Sequence, residues 1–199
     1  MSRLRRSLVL LPVSGALFLS ACGINSVPTA EEEAKAKWAD VQAQYQRRAN
    51  LTGNLVATVK AAGKQEQETL TRVTEARAKA TSVQINAEDL SDPAKVAQYQ
   101  AAQAQLSQGL GRLLASVEAY PDLKTNENFL QLQSQLEGTE NRIAVAIRDY
   151  NGAVQAYNTR IRTFPDAIGA KLIHGAKPMT PFQATTPGAE EAPKVDFGN

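Results

Sequence analysis

The sequence predicts an all-α fold: an elongated antiparallel bundle of three long helices, with a short fourth helical segment and a disordered or loosely docked C-terminal tail. Three observations predict it. Of 199 residues, 43% are hydrophobic and only 6% aromatic, and the aliphatic residues are diluted by Ala, Gln, Glu, Lys and Arg. Apolar side chains recur at spacings of three and four over long stretches. No run alternates valine, isoleucine and threonine in the way a half-buried strand requires.

The N-terminal stretch is not part of that pattern. Arg3, Arg5 and Arg6 form a basic leader, Ser7 to Leu19 an apolar run, and Ser20-Ala21 a small-residue cleavage point. A helix crossing a bilayer needs about 20 apolar residues; this run is shorter and contains Pro12, Ser14 and Gly15. It reads as a signal peptide rather than a permanent span. Leu19-Ser20-Ala21-Cys22 is also similar to the lipobox of bacterial lipoproteins, whose cysteine takes a diacylglyceryl group before cleavage and a third acyl chain after it. One acyl chain anchors marginally; two or three hold a protein firmly without a span. Gly23 stands where that resemblance would place an aspartate for inner-membrane retention, which favours the outer membrane, with the body facing the periplasm.

The chain thus divides into a lipoprotein signal peptide (1–21), an acylated tether (22–29), a helical body (30–174) and a Pro-rich tail (175–199). Three of the 22 Lys and Arg precede the cut, leaving 19 against 20 Asp and Glu, interspersed along the helices. Nucleic-acid binding requires a concentrated basic face, and none is present.

The first body helix starts with Thr29 as its cap and Glu31, Glu32 and Glu33 in a dipole-complementing first turn. Trp38, Val41, Tyr45, Leu55, Val59, Leu70, Val73 and Val83 then form one stripe. Unbroken to about Ala80, this helix is about 75 Å long. Gly53 and Gly63 are its weak points, suited to a bend or a close helix contact. Asp92-Pro93 is an N-cap followed by proline at the first helical position. The helix it opens carries Val96, Tyr99, Leu106, Leu110, Leu113, Leu114 and Val117, and stops before Pro121. A third helix follows with a heptad-like seam from Phe129 to Phe164, in which Thr139 fills the one gap, and Pro165 ends it. "DAIGAKLIHG" forms one or two more turns; beyond it, composition favours disorder, although Val195 and Phe197 alternate in a way that suits docking.

"YQRRANLTGNLVATVK" (45–60), "VTEAR" (73–77), "YPDLKTNENFLQLQSQLEGTENRIAVAIRDYNGAVQAYNTRIRTFP" (120–165) and "APKVDF" (192–197) strongly resemble the LemA family, over nearly the whole mature chain. The resemblance implies a long antiparallel helical bundle held at a bacterial membrane, through a span or a lipobox, and assigns no biochemical activity. Thr52-Gly53 and "KLIHGAKP" depart from the family pattern, which has isoleucine-proline at the first and a more aromatic segment at the second.

Chemistry is sparse. His174 is the sole histidine and Cys22 the sole cysteine, so a di-iron bundle, a four-ligand zinc site and a disulfide framework have no ligands to draw on. Neither a Walker loop nor a dinucleotide fingerprint is present, and "DFG" at Asp196 lacks every other kinase element. No catalytic residue, cofactor or metal is expected. The informative polar groups are Asn141, Asn151 and Asn158 beside Tyr150 and Tyr157, with Arg47, Arg48 and Asn54 on another helix to meet them. They form a polar layer that fixes helix register or, alternatively, a partner surface. If register is the only role, leucine at 151 and 158 raises thermal stability. Two functions follow: a lipid-tethered scaffold or adaptor for an unidentified envelope protein, or a receptor that signals through a membrane partner. A cavity of several hundred Å³ lined by polar and aromatic groups distinguishes the second.

Overall fold

The computed structural model describes residues 2–62 and 67–183, with side chains from Asn25 onward. It contains α1 (Ser2–Ala61), α2 (Gln67–Ser82), a 3₁₀ turn (Ala87–Ser91), α3 (Pro93–Val117), α4 (Pro121–Lys124), α5 (Glu127–Arg160), α6 (Asp166–Gly169) and a π-helical turn (Ala170–His174). There is no strand among the described residues, and the fold class is all-α.

Three boundaries differ from expectation. The single helix expected up to about Ala80 is two, α1 and α2, and the second begins only at Gln67; Gly63 lies outside the described residues. Thr29 does not cap a helix: it sits inside α1, where its hydroxyl donates to the Asn25 carbonyl at 2.7 Å, the back-bond available to threonine within a helix. The third long helix ends at Arg160 rather than Phe164, so Phe164 is no seam residue and is 76% exposed.

The chain forms two compact units. One comprises Met1–Arg48, Asn86–Pro93 and Glu137–Pro181; the other comprises Ala49–Ile85, Ala94–Leu136 and Phe182–Asn199. The second unit holds an aliphatic core: Leu55 and Val59 of α1, Leu70 and Val73 of α2, Leu106 and Leu113 of α3, Leu123 of α4, and Phe129 and Leu136 of α5. Each fully buried Leu or Val contributes about 1.5–3 kcal/mol, so this repetition alone fixes which helix faces are internal. Gly53 makes the expected close contact. A Cβ there would meet the Arg77 guanidinium carbon at 3.3 Å, and Arg77 Nε donates to the Ala49 carbonyl at 2.7 Å. Gln103 Nε2 donates to the Ala80 carbonyl at 3.1 Å, satisfying one acceptor of the last turn of α2.

In the first unit, Val27, Ala34, Trp38, Val41 and Tyr45 of α1 are buried, as are Ile143, Tyr150, Val154 and Tyr157 of α5. The Trp38 and Tyr150 rings lie 5.4 Å apart with a 56° tilt. α1 and α5 are antiparallel here. Moving ten residues back along α1, from Arg48 to Trp38, moves the contact ten residues forward along α5, from Glu140 to Tyr150.

Candidate functional site

The most specific polar construction in the first unit is a docked segment spanning residues 176–181, which composition alone assigns to a flexible tail. Gly175, in the left-handed region at φ 55°, ends the π turn, and Ala176 N–H donates to the Ala170 carbonyl at 2.9 Å. The chain then runs back along α5. The Tyr157 hydroxyl donates to the Lys177 carbonyl (3.0 Å) and the Tyr150 hydroxyl to the Thr180 carbonyl (2.9 Å). Asn158 holds both backbone groups of Met179, donating from Nδ2 to its carbonyl (2.8 Å) and accepting its N–H at Oδ1 (2.9 Å). Thr180 N–H donates to the Leu90 carbonyl at 2.8 Å. Pro178 and Pro181 have no N–H to satisfy, so the side chains of α5 supply nearly everything an extended backbone needs. Met179 is buried beneath it.

This reassigns Asn158. It is a clamp on the docked segment rather than a register amide between long helices. Asn158→Leu therefore lowers stability instead of raising it, by about 2–3 kcal/mol, because two backbone groups lose their partners. Urea denaturation of the variant against the parent checks the sign. Asn151 lies one heptad earlier, half-buried, and with Asn158, Gln155, Arg162 and Pro181 lines a groove of about 430 Å³.

A second construction is built on Arg48. Its side chain is 2% exposed, its guanidinium stacks 4.7 Å from the centre of the Tyr45 ring, and Nη1 donates to Glu140 at 3.2 Å. Arg48 continues the stripe of α1 between Tyr45 and Leu55, a seam position carrying a charge. Thr139, with no exposed surface, occupies the corresponding gap in α5. The expected polar layer thus contains Arg48, but its partner is Glu140. Arg47 and Asn141 are exposed, and Asn54, also exposed, belongs to the other unit. Cys22 lies in α1 ahead of the described side chains.

Burial pushes the Tyr45 hydroxyl up to about 12, with the Arg48 charge opposing it and Glu140 reinforcing it. Burial also holds Tyr150 and Tyr157 above the ordinary phenol value; for Tyr157, Glu31 adds to the effect and Lys35 opposes it. Hydrogen bonds from Lys35 to Glu32 and Glu31 raise the lysine as well. All these shifts favour the protonated group in the folded chain. Their contribution to stability is complete below about pH 10, where the unfolded tyrosine begins to ionise, and is lost as pH rises towards the folded values. The urea midpoint accordingly falls between about pH 9.5 and 12, and Tyr45→Phe flattens that fall.

Among the described residues, no group of three His, Cys, Asp or Glu side chains converges as a metal site would require. No helix among them is long and apolar enough to cross a membrane. A groove of about 480 Å³ between α2 and α3 is lined by Glu68, Arg72, Glu75, Lys79, Gln105 and Arg112 with small residues between them. Neither groove has an aromatic ring in its wall.

A family model described as the LemA family matches residues 37–197, a span that contains α5, the clamped segment and the Arg48 pair. The chain belongs to the LemA family. This LemA-family chain is 30% identical over 108 residues to Protein LemA of Metamycoplasma hominis, covering 54% of this chain and 45% of that protein. It is 27% identical over 157 residues to Magnetosome protein MamQ 2 of Paramagnetospirillum magneticum, covering 71% and 58%. A third relative, Magnetosome protein MamQ of Magnetospirillum gryphiswaldense, is 26% identical over the same length. The chain spans about half the length of the curated relatives it matches. The LemA match continues beyond the clamped segment, in accord with that segment being part of the folded body.

Proposed function

We propose that this LemA-family chain is a non-enzymatic envelope lipoprotein. In this reading it is anchored through acylated Cys22, faces the periplasm from the outer membrane, and acts as a helical scaffold or adaptor for another envelope protein. The observation that carries the reading is the tetrad Leu19-Ser20-Ala21-Cys22, placed directly after a basic leader and an apolar run and directly before a LemA-type helical body. Polar groups that could have served chemistry are engaged in structure instead: Asn158, Tyr150 and Tyr157 hold backbone, and Arg48 is stacked and paired.

Photo-crosslinking amino acids placed at exposed positions along α5 and in the tail, in cells, test the adaptor role. The expected result is one envelope protein captured repeatedly from neighbouring positions; no specific capture from any position would contradict it.

A further inference from the structure

Six large apolar side chains are exposed among the described residues, and four of them fall within ten positions: Phe164 (76%), Ile168 (54%), Leu172 (78%) and Ile173 (60%). Ile168 lies in α6 and Leu172 and Ile173 in the π turn that follows it, while Phe164 stands in the turn just before α6. Single exposed apolar residues are ordinary, but four large ones concentrated in one ten-residue stretch mark a surface suited to being covered. Around it lie exposed Arg160, Arg162, Lys171 and Lys177, against Asp166 as the one acid between residues 160 and 177. Two copies of this chain meeting through the cluster would bring those like charges together.

The antiparallel register locates the cluster. Arg48 meets Glu140 and Trp38 meets Tyr150; one further step of seven sets Glu31 level with Tyr157, whose hydroxyl feels the Glu31 and Lys35 charges. Continued, the register sets Pro28 level with Arg160, the last residue of α5, and Phe164 follows four residues on. The exposed apolar cluster therefore lies at the end of the unit from which the chain runs back to Cys22. Of the charges nearest it on α1, Glu31 and Glu32 share Lys35 at 2.9 and 2.8 Å, and Glu33 beside them is exposed, so the basic residues of the cluster face three carboxylates and one lysine on α1.

We propose that Phe164, Ile168, Leu172 and Ile173 form a second membrane contact, inserted at the headgroup boundary of an anionic bilayer, with Arg160, Arg162 and Lys171 as its basic collar. This rests on the anchored reading above. It adds to the lipid anchor a second contact that fixes one end of the unit against the bilayer. Apolar side chains rimmed by cations are the composition that binds such surfaces, the rings and aliphatic tips entering the acyl boundary while the cations meet lipid phosphates.

The test uses the mature chain, purified from a bacterial membrane fraction and reconstituted into vesicles of phosphatidylcholine and phosphatidylglycerol with brominated acyl chains. Leu172→Trp places an indole reporter at the cluster; Val145→Trp places one on α5 about 22 Å before its end, and the native Trp38 is buried. The Leu172→Trp reporter is expected to be quenched by at least about twofold more than the Val145→Trp reporter. The added change Arg162→Glu with Lys171→Glu is expected to reduce that quenching; unchanged quenching would overturn the role of the collar. Flotation with the vesicles while the reporter at the cluster stays unquenched by bromine and open to iodide would overturn the contact and leave the anchor standing. Shielding from both quenchers would overturn it in favour of a protein partner. Failure to float would overturn the contact and the anchor together.

Discussion

Tyr150→Ala is expected to destabilise the chain by about 3–5 kcal/mol, the range for removing a large buried aromatic side chain. Tyr150 has no exposed surface, packs its ring against Trp38 and holds the Thr180 carbonyl through its hydroxyl. The loss is therefore compound: a cavity in the seam of the first unit, an aromatic contact, and a carbonyl of the docked segment left without its donor. Tyr150→Phe separates these parts, keeping the ring and costing about 1–2 kcal/mol for the hydrogen bond. Chemical denaturation followed by the fluorescence of Trp38 reads both variants. Equal stability of alanine and phenylalanine variants would mean that the ring contributes nothing. Since typical domains are stable by about 5–15 kcal/mol, the alanine variant stands close to unfolding at physiological temperature.

Arg48→Ala is expected to cost about 2–4 kcal/mol, chiefly because a long buried side chain is replaced by a void in the seam. Its partner Glu140 is 46% exposed and stays solvated when the arginine is removed, so an uncompensated carboxylate adds little. Arg48→Met is the informative companion. It fills the same path past Tyr45 without a charge, and removing a desolvated cation is neutral or favourable when the replacement packs well. Methionine should restore most of the stability lost in the alanine variant. If it is as unstable as alanine, the guanidinium itself, through Tyr45 and Glu140, holds the seam.

These two side chains show what is legible in the sequence. Tyr150 is evident from periodicity, because it continues a 3-4 spacing of apolar residues from Ile143 to Tyr157. Arg48 is the same spacing carried by a charged residue: Tyr45, Arg48, Thr52, Leu55 and Val59 are all buried at alternating threes and fours. A hydrophobic pattern alone skips the middle two, and the adjacent Arg47 is equally basic but exposed. The break after α1 is harder to place because Gly53 and Gly63 look alike in sequence, whereas Gly53 sits in an intact helix that receives Arg77. The clamped segment escapes a sequence reading for a different reason. Proline-rich composition argues against helix and strand, but it also lowers the number of N–H groups to satisfy, and the Tyr-Asn repeat of α5 supplies partners to an extended chain. That repeat is visible; its partner lies some twenty residues further along the chain. Val195 and Phe197 fall outside the described residues.

The proposed anchor would connect the helical body to its proposed place of action, and its chemistry would be confined to one thiol. Radiolabelled palmitate incorporation into the full chain and into Cys22→Ser, each expressed in a Gram-negative host, tests it most directly. The account predicts a labelled, shortened, membrane-bound parent and a serine variant that is unlabelled and retains its leader. A serine variant that still matures to the same size and remains membrane-bound would contradict it.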